Sequence, residues 1–128
     1  MATQITKDIK VSVEAYYQGE EIKGTQLQHI FSYKVLIENN SIYDVQLLYR
    51  HWYFVDSNLT YREIEGEGVI GQQPIILSGD FFDYHSWCPL TTDIGKMYGR
   101  FTMQRCEDEV EFNVEIPSFN LVAIHRLN

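Results

Sequence analysis

Apolar and polar residues alternate along most of this chain, and this period of two constrains the fold more than any other feature. The first such stretch runs from Ile9 to Tyr17, where Val11, Val13 and Ala15 alternate with polar residues. Because successive side chains of a β-strand point to opposite faces, the pattern predicts a strand with one wet face. The same kind of alternation predicts strands over residues 31–37, 61–65, 81–88, 97–103 and 110–116.

Prolines and charges indicate where these strands end and which of them lie at an edge. Pro89 and Pro117 each follow a predicted strand and are expected to end it, since proline cannot donate to a sheet ladder. Residues 61–65 alternate weakly and carry charges, which is typical of an edge strand. Residues 75–77 form a short apolar stretch, and the pattern of residues 119–128 is ambiguous.

One stretch, residues 45–55, places large apolar side chains on both faces. Simple alternation puts Tyr49 and Tyr53 on one face with Val45, and Trp52 on the opposite face. This pattern predicts a central strand that is covered on both sides. Trp52 matches the core tryptophan of immunoglobulin-like sandwiches, so we expect its ring to anchor the core.

Together these patterns predict an all-β fold. Seven or so strands at intervals of about a dozen residues, without an amphipathic helix, favour an antiparallel β-sandwich. We expect an immunoglobulin-like or fibronectin type III-like topology with about seven or eight strands. The chain has 128 residues, of which 45% are hydrophobic, so residues 1–128 are expected to form a single domain with one core.

The formal net charge of -8 repels phosphate backbones, and a nucleic-acid-binding role is therefore not expected. The N-terminal residues lack an apolar core of signal-peptide length, and no apolar run reaches the length of a membrane helix. We therefore expect a cytoplasmic protein with no membrane or nucleic-acid partner. In that compartment Cys88 and Cys106 are expected to be reduced, unpaired and buried.

The stretch GEGVIGQQP at residues 66–74 contains the spacing G-x-G-x-x-G, which binds the pyrophosphate of dinucleotides in some folds. That role requires a helix beginning at the last glycine, but Gly71 is followed by two glutamines and Pro74. We therefore expect Gly66, Gly68 and Gly71 to serve the shape of a strand connection. The alternative is a small anion nest built from free backbone amides.

Several separated motifs resemble those of the ApaG family and occur in order over nearly the whole chain. They are RHW at 50–52, GEGVIGQQP at 66–74, SGDFFDY at 78–84, CPLTT at 88–92, GKMYGRFTM at 95–103 and FNVEIP at 112–117. Trp87 departs from the family pattern, which has a small residue at that position. The resemblance implies a fibronectin type III-like sandwich, a genetic link to cobalt and magnesium efflux, and no agreed catalytic activity.

Few residues in the sequence are candidates for anion binding, catalysis or metal binding. The cations that could join an anion nest are Arg50, Arg62, Lys96 and Arg100, and each could equally be a structural or surface charge. The four histidines, His29, His51, His85 and His125, lie in no recognisable catalytic motif. Asp83, His85 and Cys88 do not share one strand face, so we expect no metal site and no other cofactor.

The sequence therefore favours a non-enzymatic domain that binds a partner, most simply another protein, and acts as a monomer or homodimer. The second hypothesis is a small-ligand binder. It would hold pyrophosphate or a nucleotide polyphosphate at the three glycines with Arg50, Lys96 and Arg100. An enzyme acting on phosphoanhydrides ranks third. Convergence of basic side chains on residues 66–71 would distinguish the second hypothesis from the first.

Overall fold

A computed structural model describes residues 1–123, and within them the chain forms β-strands and no helix. The strands are β1 (Ala2–Thr6), β2 (Ile9–Lys23), β3 (Gln26–Asn39), β4 (Val45–Asp56), β5 (Tyr61–Glu67), β6 (Ile75–Ile76), β7 (Phe81–Leu90), β8 (Ile94–Arg105) and β9 (Glu111–Val122). His125 and the rest of residues 124–128, including the end of the ambiguous tail, lie outside the described residues.

The strands form two antiparallel sheets, which confirms the predicted sandwich. One sheet has the order β1-β2-β3-β7, and the other has the order β5-β4-β8-β9, with the short β6 pairing with β4 beyond the end of β5. Strand β5 lies at the edge of its sheet, as its charges predicted. The inner faces of both sheets supply a common core, whose largest fully buried side chains include Ile9, Phe31, Ile37, Leu47, Met97, Phe101 and Leu121.

The structure contains more strands than the alternation of apolar residues predicts. In addition, Pro89 and Pro117 do not end the strands in which they lie. β1 and the two-residue β6 are too short or too exposed to give a clear pattern. β7 continues through Pro89 to Leu90, and β9 continues through Pro117 to Val122, so both predicted ends are wrong. Each of these strands lies at a sheet edge, where a missing N–H costs no ladder bond. At Pro117 the register to β8 also shifts, which marks an irregularity.

Strand β4 is covered on one side only, which contradicts the prediction from its sequence. The register against β8 shifts between Leu47 and Tyr49, leaving Leu48 as the extra residue of a β-bulge. The bulge reverses the alternation, so Leu47 and Trp52 both lie on the buried face although they are an odd number of positions, five, apart in the sequence. Tyr49 and Tyr53 consequently lie on the outer face of the five-stranded sheet, where Tyr49 is 46% exposed.

Both cysteines are unpaired, as predicted, but only Cys88 is buried. Burial raises the pKa of the Cys88 thiol to about 12. Cys106 is exposed because it lies in the turn that follows β8, not within a strand. The described residues contain no helix long and apolar enough to span a bilayer.

We predict that Trp52 anchors the core. Its ring is 2% exposed and makes edge-to-face contacts with Tyr33, Phe101 and Phe119 at centroid distances of 5.4, 6.4 and 6.1 Å. Trp52→Ala should therefore lower the free energy of unfolding by about 3–5 kcal/mol, as measured by denaturant titration. The matched control is Trp87→Ala, because Trp87 is 63% exposed and its loss should cost about 0.5 kcal/mol or less. Equal losses for both variants would contradict the prediction.

Candidate functional site

The glycine segment, residues 66–74, folds back onto the bulge of β4. The backbone carbonyl of Leu48 accepts hydrogen bonds from the Gly68 amide at 2.7 Å and from Gln73 Nε2 at 2.9 Å. Val69 and Gln72 bond to each other through both backbone amides, at 2.8 and 2.9 Å. Three amides of the segment are therefore already engaged by carbonyl groups, which leaves fewer donors for an anion nest.

Arg50 is the candidate cation that contacts the glycine segment. Its Nη1 donates to the carbonyls of Glu67 and Gly68, both at 3.0 Å, and its guanidinium lies against the backbone of Gly66. A Cβ at position 66 would be 2.9 Å from three guanidinium atoms. The close approach explains the glycine at this position, and the bonds give Arg50 a structural role in holding the segment.

The other candidate cations do not converge on the segment. Arg100 lies opposite His51 on the outer face of the sheet, whereas Arg50 lies opposite the buried Phe101 and so faces inward. Lys96 pairs with Val55, five residues along β4 from Arg50, a distance of about 17 Å at the usual strand rise.

Arg62 lies on β5, four residues before Gly66, and its guanidinium is engaged by the opposite sheet. Its Nη2 donates to the Pro89 carbonyl of β7 at 2.7 Å, and its guanidinium lies 4.7 Å from the centroid of Phe54. The structure therefore brings Gly66, Gly68 and Arg50 together, places Gly71 further along the same segment, and separates Lys96 and Arg62 from them. Arg100 lies near Gly66 on the outer face of the sheet, but its guanidinium bonds to Tyr53 and His51. Anion binding at this segment stays a prediction.

The outer face of the five-stranded sheet carries a cluster of aromatic rings, which we call the aromatic face: Tyr49, His51, Tyr53, Tyr61 and Tyr98. The Tyr53 ring stacks on His51 at 4.5 Å and on Tyr98 at 4.9 Å, with interplanar angles of 16° and 11°. Tyr61 adds a tilted contact at 6.0 Å. The rings share a face because Tyr53 pairs directly with Tyr98, and His51 lies two residues before it. Tyr61 and Tyr98 remain 51% and 36% exposed.

Charged groups on the same face surround the rings. Arg100 donates to the Tyr53 hydroxyl at 3.0 Å, and its other Nη lies 3.2 Å from His51 Nδ1. His51 Nε2 lies 2.5 Å from Glu63, and Nδ1 lies 3.0 Å from Glu65. A neutral His51 can accept from Arg100 and donate to Glu63, whereas a protonated His51 can donate to both carboxylates. The network fixes the orientation of the imidazole and of the guanidinium.

The charge network also affects the pKa of Arg100. Its hydrogen bond with Tyr53 raises the pKa above its usual value, and the nearby carboxylates of Glu115 and Glu65 contribute in the same direction.

A depression of about 390 Å³ lies beside the network, between Tyr49 and His51. Its lining also includes Arg50, Glu65, Gly66, Glu67, Arg100 and Thr102.

His51, Glu63 and Glu65 offer potential ligand atoms that lie within 4.8 Å of one another. The two carboxylates, however, contact opposite nitrogens of the imidazole. An ion bound at either nitrogen would therefore directly face only one of the carboxylates. At Nδ1 the ion would also meet the positive guanidinium of Arg100. We interpret the cluster as a charge network and assign no metal to it.

A second concavity, of about 410 Å³, lies at one end of the sandwich between the β1–β2 and β3–β4 turns and the start of β9. Tyr43 and Phe112 contribute apolar surface to it. The guanidinium of Arg105 lies 4.6 Å from the centroid of the Tyr43 ring and pairs with Asp108. Because the charge of Arg105 is already neutralised by Asp108, this cation is less available to bind a ligand in the concavity. We therefore rank the concavity below the aromatic face as a candidate site.

The aromatic face is not evident from the sequence. Simple alternation assigns Tyr49 and Tyr53 to a covered face of β4, because alternation cannot detect the bulge at Leu48. His51 lies in no sequence motif, because the carboxylates that contact it come from another strand. One signal was present: Glu63, Glu65 and Glu67 alternate along β5 and therefore share a face.

The two antiparallel sheets and their common core define a fibronectin type III-like β-sandwich with one uncovered aromatic sheet face. Within this class, the chain belongs to the ApaG family, because the family profile described as the ApaG domain matches residues 19–105.

Two curated relatives named Protein ApaG support the assignment. The chain is 40% identical to the one from Sinorhizobium fredii over 121 residues, which cover 94% of this chain and 92% of that protein. It is 41% identical to the one from Agrobacterium fabrum with the same coverage. The crystal structure of the putative ApaA protein from Bordetella pertussis matches with a TM-score of 0.83 and 38% identity. That match covers 90% of this chain and 93% of the other.

We predict that the glycines differ in their tolerance of a side chain. Gly68 has a φ of +60°, and a Cβ there would lie 1.9 Å from the Gln72 carbonyl oxygen, whereas Gly71 has a φ of +72° and open space around it. Gly68→Ala should lower the free energy of unfolding by about 3 kcal/mol or more, and Gly71→Ala by about 1 kcal/mol. Denaturant titration of both variants tests the order, and a larger loss for Gly71→Ala would contradict it.

We also predict that Gly66 and Arg50 act as a pair. Gly66→Ala should displace the guanidinium and break its two bonds to carbonyl oxygens, at a cost of about 1–3 kcal/mol, similar to that of Arg50→Ala. In the double variant the second substitution should add little, so that a double-mutant cycle gives a coupling of about 1 kcal/mol or more. Additive losses would show that the two residues stabilise the segment independently.

Proposed function

We propose that this chain is a non-catalytic domain that binds another protein through its aromatic face. The observation that carries the proposal is the exposure of Tyr49, Tyr61 and Tyr98 on one rigid sheet surface. Exposed tyrosines are enriched at protein interfaces because they combine a large apolar area with a hydroxyl group and lose little conformational entropy on binding. A sheet also presents them with fixed spacing, which lowers the cost of association.

The contacts of the glycine segment favour protein binding over binding of pyrophosphate or a nucleotide. Among the four candidate cations, all within the described residues, only Arg50 hydrogen-bonds to the segment, and its Nη1 is occupied by two carbonyl oxygens. The net charge of -8 further weakens the attraction of a polyphosphate. Pyrophosphate binding remains the second candidate, and it would use the unbridged tip of the segment near Gly71.

The arrangement of His51 supports a non-catalytic role. Its two ring nitrogens contact the carboxylates of Glu63 and Glu65 and the guanidinium of Arg100, and no hydroxyl or thiol group within residues 1–123 bonds to them, so the imidazole is not placed to deprotonate a nucleophile. The proposal also places the domain in the cytoplasm, which the two unpaired cysteines support. A link to cobalt and magnesium efflux, which the family resemblance suggests, would then act through the protein partner.

The proposal predicts that substitutions on the aromatic face abolish partner capture. Chemical cross-linking in cell extract would be followed by affinity purification of the wild-type chain, of a Tyr61→Ser/Tyr98→Ser variant and of Tyr16→Ser. Tyr16 is the control because it is 42% exposed on the outer face of the other sheet. The face variant should retain about a tenth or less of the partner, whereas the control should retain it fully.

Thermal melts would establish that the face variant is folded before its binding is compared. Equal capture by the face variant and the wild type would contradict the proposal.

A calorimetric titration with pyrophosphate and nucleotides completes the test. Salt-sensitive micromolar binding that is lost in Gly71→Ala without a change in the melting curve would replace protein binding by the anion-binding function.

A further inference from the structure

Strand β5 has one free edge next to the aromatic face. It pairs with β4 on one side, and no strand within residues 1–123 pairs with its other side. Five of its seven residues are exposed. An edge strand of this kind presents unpaired backbone N–H and C=O groups, which can pair with an extended segment of another chain.

The side chains beside this edge are acidic at alternate positions. Glu63, Glu65 and Glu67 lie on the same outer face, opposite Tyr53, His51 and Tyr49 respectively. Glu63 and Glu65 contact His51 but are 43% and 68% exposed as side chains. Glu67 makes no ion pair within the described residues, and it helps to line the depression beside Tyr49. The free edge therefore has a row of accessible negative charges with the spacing of a strand.

We infer that an extended segment with Lys or Arg at alternate positions adds to β5 as a further strand of the sheet. This inference rests on the proposed function and specifies the partner segment. Backbone hydrogen bonds would supply affinity, and cross-strand pairs between basic side chains and the three glutamates would fix the register. The basic side chains would lie on the outer face, next to Tyr61 and the rest of the aromatic face.

Charge complementarity favours a basic segment over other occupants. A second copy of β5 would place glutamate near glutamate across the new pairing, which is destabilising. A phosphate-bearing surface would meet the same acidic row and a net charge of -8. The glutamates thus discourage pairing between copies and at the same time select a strand of opposite charge.

The aromatic face already binds one guanidinium within the chain. Arg100 donates to the Tyr53 hydroxyl, lies 5.9 Å from the centroid of that ring, and is stabilised as a cation by Glu65 and Glu115. The surface therefore combines phenol rings and carboxylates in a geometry that holds an arginine side chain. An arginine of an added strand would meet the same groups, tyrosine rings and carboxylates, at the edge next to Tyr61.

The inference is tested with synthetic nine-residue peptides and the full chain. The probe alternates arginine with threonine and valine. One control peptide has glutamate in place of arginine, and another keeps the arginines but carries N-methyl groups on alternate backbone amides. The readouts are the dissociation constant in NMR titrations and hydrogen exchange of the β5 amides. The basic probe should bind, slow the exchange of β5 amides and weaken as salt rises from about 50 to about 200 mM.

The controls distinguish strand addition from simple charge attraction. N-methylation should weaken binding about tenfold or more by removing backbone bonds, and the acidic peptide should not bind detectably. Glu67→Gln should weaken binding of the basic probe about threefold. Glu14→Gln, an exposed glutamate of the other sheet, should leave it unchanged.

Three results would overturn the inference: no binding of the basic probe at millimolar concentration, equal binding of the N-methylated peptide, or equal binding of the acidic peptide. If the Tyr61→Ser/Tyr98→Ser variant still loses its captured partner in any of these cases, the proposed function stands and only strand addition fails. If that variant captures its partner normally, both fail.

Discussion

The β-bulge at Leu48 determines which residues of this sandwich are buried and which meet solvent. Without the extra residue, regular alternation would continue from Leu47 to Tyr49 and Tyr53 on the inside and would turn Trp52 outward. The bulge instead brings Trp52 into the core and presents the tyrosines to solvent. The hydrophobic core and the aromatic face therefore depend on the same local irregularity, because each is defined by the register of β4.

A bulge leaves backbone groups outside the regular ladder, and they require other partners. The glycine segment supplies them, since the Gly68 amide and the Gln73 side chain both bond to the Leu48 carbonyl. Gly68 adopts a positive φ to make this approach, and Gly66 leaves room for the guanidinium of Arg50. The G-x-G-x-x-G spacing thus has a sufficient explanation in backbone geometry, without a phosphate ligand.

Alternation was sufficient to predict the sandwich, because the sandwich follows from a local period of two. The charges of residues 61–65 predicted the edge position of β5, and the match to the core tryptophan of immunoglobulin-like sandwiches predicted the burial of Trp52. Alternation could not reveal the bulge, since the residues around Leu48 include no glycine and show no break in hydrophobicity. The error placed Tyr49 and Tyr53 in the interior and concealed the candidate site. The contacts of His51 with Glu63 and Glu65 depend on strand register, which a single sequence does not specify.

Arg62 gives the free edge of β5 an unusual mechanical property. Its guanidinium crosses from β5 to the Pro89 carbonyl of the opposite sheet and packs over Phe54, so the two sheets are tied together at this side by one side chain. A lateral displacement of β5 would disturb both the hydrogen bond to Pro89 and the contact with Phe54. The edge is therefore anchored to the opposite sheet although it lacks a neighbouring strand, and an added strand would pair with a backbone that is already held in place.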